Sequence, residues 1–298
     1  MKFIFLFLII ITTNTKSNVF NLNIEKLRSK LKEKNPLLKV TYKNHLGEGE
    51  GQLDSMPRYN STNVNCTTWW QQLLAESFTT NEKDLNGVLD SIRYFDNVVS
   101  FGTRKHFVDH FLMNQPSPLT DINQRFGDFC DDDSTHQVKL NIDLFKQSAK
   151  YSCPILHEEQ NNIEFTYLSK FKAIDCLEKA PDGVYMVFPV ATPKYLAIWG
   201  KKSGPMGRVH GLIVNKEKIP QVFHASIDWG RIMTEPFKTY VLAPGSNLFK
   251  GYKIYKIDDQ YKISAPQDKN KEKIQKILAC ERQILQSKNL NVGNNIKK

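Results

Sequence analysis

Apolar positions recur at helical spacing through the first third of the chain and change to strand-like runs near Gly183. Within residues 18–40, the stretch Asn23 to Leu31 carries Ile24, Leu27 and Leu31 at helical intervals. A glycine-rich loop follows from Leu46 to Gly51. Pro57 and the polar stretch Asn60 to Asn63 then keep the chain extended or turning. Thr67 to Phe78 predicts a buried helix, with Trp70, Leu73, Leu74 and Ser77 at i, i+3, i+4 and i+7. Residues 81–113 read as further helix and loop. Residues 114–135 are turn-rich, with Pro116, Pro118 and the acidic run Asp131 to Asp133, which reads as a solvated loop. Strands are predicted at Gly183–Phe188, Tyr195–Trp199, Arg208–Val214, Gln221–Ala225 and Gly251–Ile257, where β-branched and aromatic residues sit between glycines and prolines. Ile274, Ile277, Leu278, Ile284 and Leu285 predict an amphipathic helix over Asp268–Asn289. Helices first and strands later mean an α+β fold. The chain shows no internal repeat and no Pro- or Ser-rich linker.

The extreme N-terminus has a different pattern. Met1-Lys2, the apolar run Phe3–Ile11 and the polar Thr12–Ser17 read as a secretory signal peptide over residues 1–17. The run is too short for a bilayer span. The expected organisation is therefore a leader and one domain over 18–298, exported to the periplasm or the medium, with contact to membrane through the leader only. With 40% hydrophobic and 24% charged residues, the composition is that of a globular chain. The net charge of +10 brings nucleic acid to mind, but the lysines are scattered and form no basic-aromatic stripe. An anionic cell-envelope polymer is the partner that fits an exported basic surface. The cysteines are Cys66, Cys130, Cys153, Cys176 and Cys280. An odd count leaves at least one thiol without an internal disulfide, and spacing alone does not pair the others.

The candidate chemistry begins at Val64 to Trp70. Asn65 is a good N-cap, which puts Cys66 in the first helical turn. The positive end of a helix favours a thiolate there, and helix N–H groups are candidates to meet an oxyanion. Alternation in Arg208–Val214 puts His210, Leu212 and Val214 on one face; in Gln221–Ser226 it puts Val222 and His224 on one face. A hairpin centred on Glu217 sets His210 directly across from His224, so that one imidazole orients the other as in a catalytic triad. No metal site is expected. The chain has no CxxC or HExxH, and His106 and His110, spaced i, i+4, lack a further nearby ligand. No cofactor is expected either.

Asn65-Cys66-Thr67-Thr68, Pro181-Asp182-Gly183-Val184-Tyr185, His210-Gly211-Leu212-Ile213 and His224-Ala225-Ser226 stand in the order and spacing of the NlpC-type, papain-like peptidoglycan hydrolases. More narrowly, the chain resembles their N-acetylmuramoyl-L-alanine amidase-like branch. Leu46-Gly47-Glu48-Gly49 and Pro57-Arg58-Tyr59 precede the cysteine; Ile92-Arg93-Tyr94 and Arg104-Lys105-His106-Phe107 follow it, before a long insert. The resemblance covers roughly residues 40–258. It implies a papain-like fold with N-terminal helices, the nucleophile helix on an antiparallel sheet, a helical insert and a C-terminal helix. It also implies a cysteine amidase that separates muramic acid from the stem peptide's L-alanine, with peptidoglycan or muramyl-peptide fragments as substrate. Cys66 becomes the nucleophile, His210 the base and His224 the third polar residue. Tyr59, Arg93, Tyr94, Arg104, His106 and Ser226 become substrate-binding residues. Four departures stand out: Asn65 replaces the usual Asp, the usual Gly is displaced in Pro181-Asp182-Gly183, Lys105 stands where Asn is common, and His110 stands where Trp is expected. An endopeptidase cutting after D-glutamate, a thiol acyltransferase and a non-catalytic peptidoglycan-binding module are the alternative readings.

Overall fold

The computed structural model describes residues 20–32, 36–43, 56–79, 81–106, 119–122, 130–131, 134–139, 143, 146–147, 149–157, 162–191, 211–226, 228–258, 262–263 and 270–295. The leader, the Leu46–Gly51 loop, the strand expected at 195–199, His110, and His210 itself lie outside the described residues.

Along the chain come β1 (Phe20–Asn21), α1 (Ile24–Lys30), β2 (Thr41–Tyr42), β3 (Asn63–Val64), α2 (Cys66–Phe78) and α3 (Glu82–Arg93). Then follow β4 (Leu119–Asp121), β5 (Ser134–Lys139), β6 (Asn162–Ser169), α4 (Lys170–Lys179) and β7 (Gly183–Ala191). The last part holds β8 (Leu212–Lys216), β9 (Gln221–Ser226), β10 (Arg231–Pro236), α5 (Phe237–Leu242), β11 (Phe249–Ile257), β12 (Lys262–Ile263) and α6 (Lys271–Asn295). One large sheet runs in the order β3-β2-β10-β9-β8-β7-β11-β6-β5, with β4 also on β11. Its pairs are antiparallel except β2–β3, which are parallel, so the sheet is mixed. The α+β class stands. The described part of the insert after residue 106 contributes β4, β5 and β6 before α4, with helical positions at Ile122, Asp143, Lys146 and Gln147.

Two apolar layers sandwich the sheet. Trp69, Trp70, Leu73 and Leu74 of α2 share a core with Val184, Met186, Ile213, Phe223, Ala225 and Ile232. On the opposite face, Leu177, Phe237 and Val241 of α4 and α5 cover Tyr185, Val187, Leu212, Val214, Val222 and Ile254. The period-2 alternation of strands thus sends odd positions of β8 and β9 to α2 and even positions to α4 and α5. A small third core joins Phe95 and Leu156 to Ile274 and Ile277 of α6.

The β8–β9 hairpin pairs Ile213 with Phe223, Val214 with Val222 and Asn215 with Gln221. It is centred on Lys218, not Glu217, two positions from the register that sets His210 across from His224. Pro220 has no N–H to give the ladder, so pairing stops at Gln221 and a longer turn intervenes.

Candidate active site

The start of α2 is fixed locally. Asn65 has extended backbone and its side chain accepts from the N–H groups of Thr67 (2.9 Å) and Thr68 (2.8 Å). Thr68 Oγ1 in turn accepts from Asn65 N at 2.9 Å, which closes a capping box. Cys66 is therefore the first residue of the helix and sits half-buried, with its Sγ 4.0 Å from Thr67 Oγ1. The cap already engages the N–H groups of Thr67 and Thr68, so these two are not the oxyanion donors expected of the helix start.

Disulfides Cys130–Cys176 and Cys153–Cys280 take up the other four cysteines. Cys66 is in no disulfide, as the odd count requires of at least one cysteine. Among the described residues no cluster of three or more His, Cys, Asp or Glu is arranged to hold a metal ion.

The strand that follows His210 in sequence reaches α2 one helical turn after Cys66. A Cβ on Gly211 would stand 2.9 Å from Trp70 Cδ1 and Nε1 and 3.1 Å from Met186 Sδ. Only glycine allows this approach. Gly211→Ala is expected to destabilise the protein by about 1–3 kcal/mol through overpacking. Urea midpoints measure it, and an unchanged midpoint would show that Trp70 yields freely.

The structure does not bring His224 to this side. Its ring lies on the face away from α2, 4.9 Å between centroids from Tyr240 of α5, with Nε2 3.4 Å from Glu235 Oε1 on β10. Alternation correctly groups His224 with Val222, but that face belongs to α4 and α5. Ser226 shares the face and is buried, accepting from Trp229 N at 3.4 Å. Burial pushes the His224 imidazole down from 6.5 to about 4. The unfolded chain then binds more protons between those values, so the His224 contribution is intact above pH 6.5 and is lost as pH falls toward 4. The loss is about 3 kcal/mol. His224→Leu should flatten this difference between urea midpoints at pH 7 and pH 4.5; an identical pH dependence in the variant would contradict the assignment.

Of the remaining candidates, Arg93 is 1% exposed. Its Nε donates to Gln71 Oε1 of α2 at 2.9 Å and its Nη1 to the Arg58 carbonyl. A guanidinium so enclosed ties α3, α2 and the 56–60 segment together and offers no clamp to a substrate carboxylate. Tyr94 is fully buried and bridges to Arg104 through the backbone. Tyr59 is half-buried and donates its hydroxyl to Glu76, which also pairs with Lys30. Burial and that hydrogen bond raise the Tyr59 phenol well above its ordinary value. Arg104 and His106 are partly exposed. The Arg104 guanidinium lies 5.5 Å from the Phe101 ring centre, and His106 Nε2 is 2.7 Å from the Phe101 carbonyl oxygen. Between them Lys105 is buried and donates to Ser91 O at 2.9 Å; burial pushes its amine down to about 7. Gln71 and Asp90 were not expected at the site. Asp90 accepts from Arg58 at 2.9 Å, and burial holds its carboxyl at about 6 against the pull of Arg58 and Arg93. A glutamine in the middle of an otherwise buried helix was the available signal for the Arg93 contact.

A family described as AmiA-like, N-acetylmuramoyl-L-alanine amidase-like, has a model that matches residues 36–244. Among solved structures, an N-acetylmuramoyl-L-alanine amidase from Bacteroides uniformis ATCC 8492 is 17% identical, with a TM-score of 0.55 over 75% of this chain and 97% of that one. A Legionella pneumophila str. Philadelphia 1 protein, matched to a family model of a domain of unknown function, is 16% identical, with a TM-score of 0.60 over 82% and 91%. A putative xylanase from Bacteroides fragilis is 19% identical, with a TM-score of 0.53 over 74% and 98%. At these identities the structural likeness speaks for the fold alone. No curated protein matches the chain.

Proposed function

The chain belongs to the AmiA-like, N-acetylmuramoyl-L-alanine amidase-like family, and from that membership we propose that it is an exported, papain-like cysteine amidase. It hydrolyses the bond between N-acetylmuramic acid and L-alanine in peptidoglycan fragments. The observation that supports this reading is that Cys66, which is in no disulfide, opens the capped, buried helix against which Gly211 is seated at Trp70. His210 is bonded to Gly211 and is the base in this reading. Two disulfides support an oxidising compartment.

In the proposed reaction, His210 takes the Cys66 thiol proton and the thiolate adds to the lactyl carbonyl. The tetrahedral oxyanion collapses, breaks the C–N bond and expels the alanine amine, which receives the proton from the imidazolium. Water, deprotonated by His210, then cleaves the thioester and restores the thiol. His224 stands on the face of the sheet that α4 and α5 cover, together with Leu212 and Val214, the residues that alternation groups with His210; the proposed chemistry keeps Cys66 as nucleophile and His210, by its place in the family motif, as base. Arg104 and His106, the partly exposed members of the basic motif, are the substrate-contacting candidates that remain.

Incubation with a muramyl tetrapeptide and mass analysis of the products tests the bond. A free peptide beginning with L-alanine is expected. A product that retains muramyl-L-alanine-D-glutamate would identify an endopeptidase instead.

A further inference from the structure

The C-terminal helix α6 lies beyond the family-matched stretch and carries a buried carboxylate. Glu281 is 7% exposed. Its Oε1 accepts from Ser100 Oγ at 2.8 Å, from Gly102 N at 3.1 Å and from Tyr151 OH at 2.7 Å. Burying a carboxylate is costly unless its oxygens are hydrogen-bonded, so this convergence fixes the side chain and its donors together. The preceding residue, Cys280, is bonded to Cys153. Ile277 and Ile274, one and two turns earlier, pack on Phe95 and Leu156. Gly102 meets the helix without room for a side chain: a Cβ there would stand 2.5 Å from Ile277 Cγ2, 2.5 Å from Tyr151 OH and 2.7 Å from Pro154 O. Asn270, at the head of the helix, donates to Asp96 at 3.1 Å.

These contacts converge on one segment, residues 93–106. Its own bonds include Phe95 N to Thr103 O (2.9 Å) and Lys105 N to Arg93 O (2.8 Å). Leu156 N donates to Gly102 O at 2.7 Å from outside it. The segment reaches α2 through Arg93 and Gln71 at one end and carries Arg104 and His106 at the other. We propose that Glu281 is a positioning residue for this loop: through Ser100, Gly102 and Tyr151 it fixes the backbone from which Arg104 and His106 face substrate. This rests on the reading of Arg104 and His106 as substrate contacts. It makes a helix outside the family-matched stretch part of the binding machinery. The signal in the sequence is a glutamate on the apolar stripe of an amphipathic helix, four residues after Ile277 and seven after Ile274.

The test compares Glu281→Leu, which removes the acceptor, with Glu281→Gln, which keeps Oε1. In Glu281→Leu, KM for a muramyl tetrapeptide is expected to rise about tenfold with kcat within about twofold, because a loop misplaced by an ångström loses binding geometry. Amide hydrogen exchange at Gly102 and its neighbours should accelerate by about tenfold or more, while α2 and β7 keep their protection. Glu281→Gln should restore both. If Glu281→Leu loosens the whole protein, Tyr151→Phe, which removes one donor, gives the same readings more weakly. Unchanged KM and unchanged loop exchange in Glu281→Leu, or a glutamine variant as impaired as the leucine one, overturns the proposal. Faster loop exchange in a protein whose wild type does not turn over muropeptides supports the clamp and overturns the amidase reading.

Discussion

Replacing Cys66 with alanine is expected to abolish muropeptide hydrolysis, with a loss in kcat on the order of 10⁴-fold or more and no change in fold. The thiol stands half-buried in the first turn of α2, with its Sγ 4.0 Å from Thr67 Oγ1. The capping box that starts the helix belongs to Asn65 and Thr68 and survives the substitution. His210→Ala should cost a similar factor. The double variant should be no worse than either single one, because a nucleophile and its base act as a unit. Product formation by mass analysis, with circular dichroism as the check on fold, decides the matter. Substantial turnover in Cys66→Ala would move the chemistry away from this helix. Equal losses with a collapsed spectrum would make the residues structural.

The second large effect concerns stability. The disulfide Cys153–Cys280 joins residues 127 apart and ties α6 to the segment under the 93–106 loop, whereas Cys130–Cys176 joins residues 46 apart. By the loop-entropy argument, replacing both cysteines of a pair by serine should cost about 5 kcal/mol for the longer closure and about 4 kcal/mol for the shorter. Denaturant unfolding of the two double-serine variants measures both. Only the Cys153–Cys280 variant should also loosen α6, seen as faster exchange along Lys271–Cys280. A larger loss from the Cys130–Cys176 pair would show that local packing of α4, not chain closure, dominates.

What the sequence discloses and what it hides follow physical lines. Helix α2 is legible because its cap and its apolar stripe are local: Asn65 stands directly before the turn, and Trp70, Leu73 and Leu74 repeat at helical intervals. Strands β7, β8, β9 and β11 are legible because they are buried on both faces and read as apolar runs. Strand β5, Ser134–Lys139, is a polar edge strand without such a run, and β10 ends in Pro236, so neither stands out. Alternation groups His224 with Val222, but which helix covers that face is decided by where α2 and α5 pack. The hairpin register turns on Pro220 and a longer turn. Arg93 shows a charge in the sequence and an internal tie in the structure, because Gln71 and the Arg58 carbonyl reach it only after folding. The disulfide pairing is likewise a product of tertiary placement.

In the proposed mechanism His210 activates Cys66. Since the other four cysteines are held in disulfides, iodoacetamide reports on Cys66 in the folded, oxidised protein. The alkylation rate across pH 5–9 in wild type and in His210→Ala measures the activation directly. Wild type is expected to alkylate at neutral pH about tenfold faster than the variant, whose rate climbs only at the higher pH of an ordinary thiol. Superimposable pH–rate curves for the two proteins would contradict it.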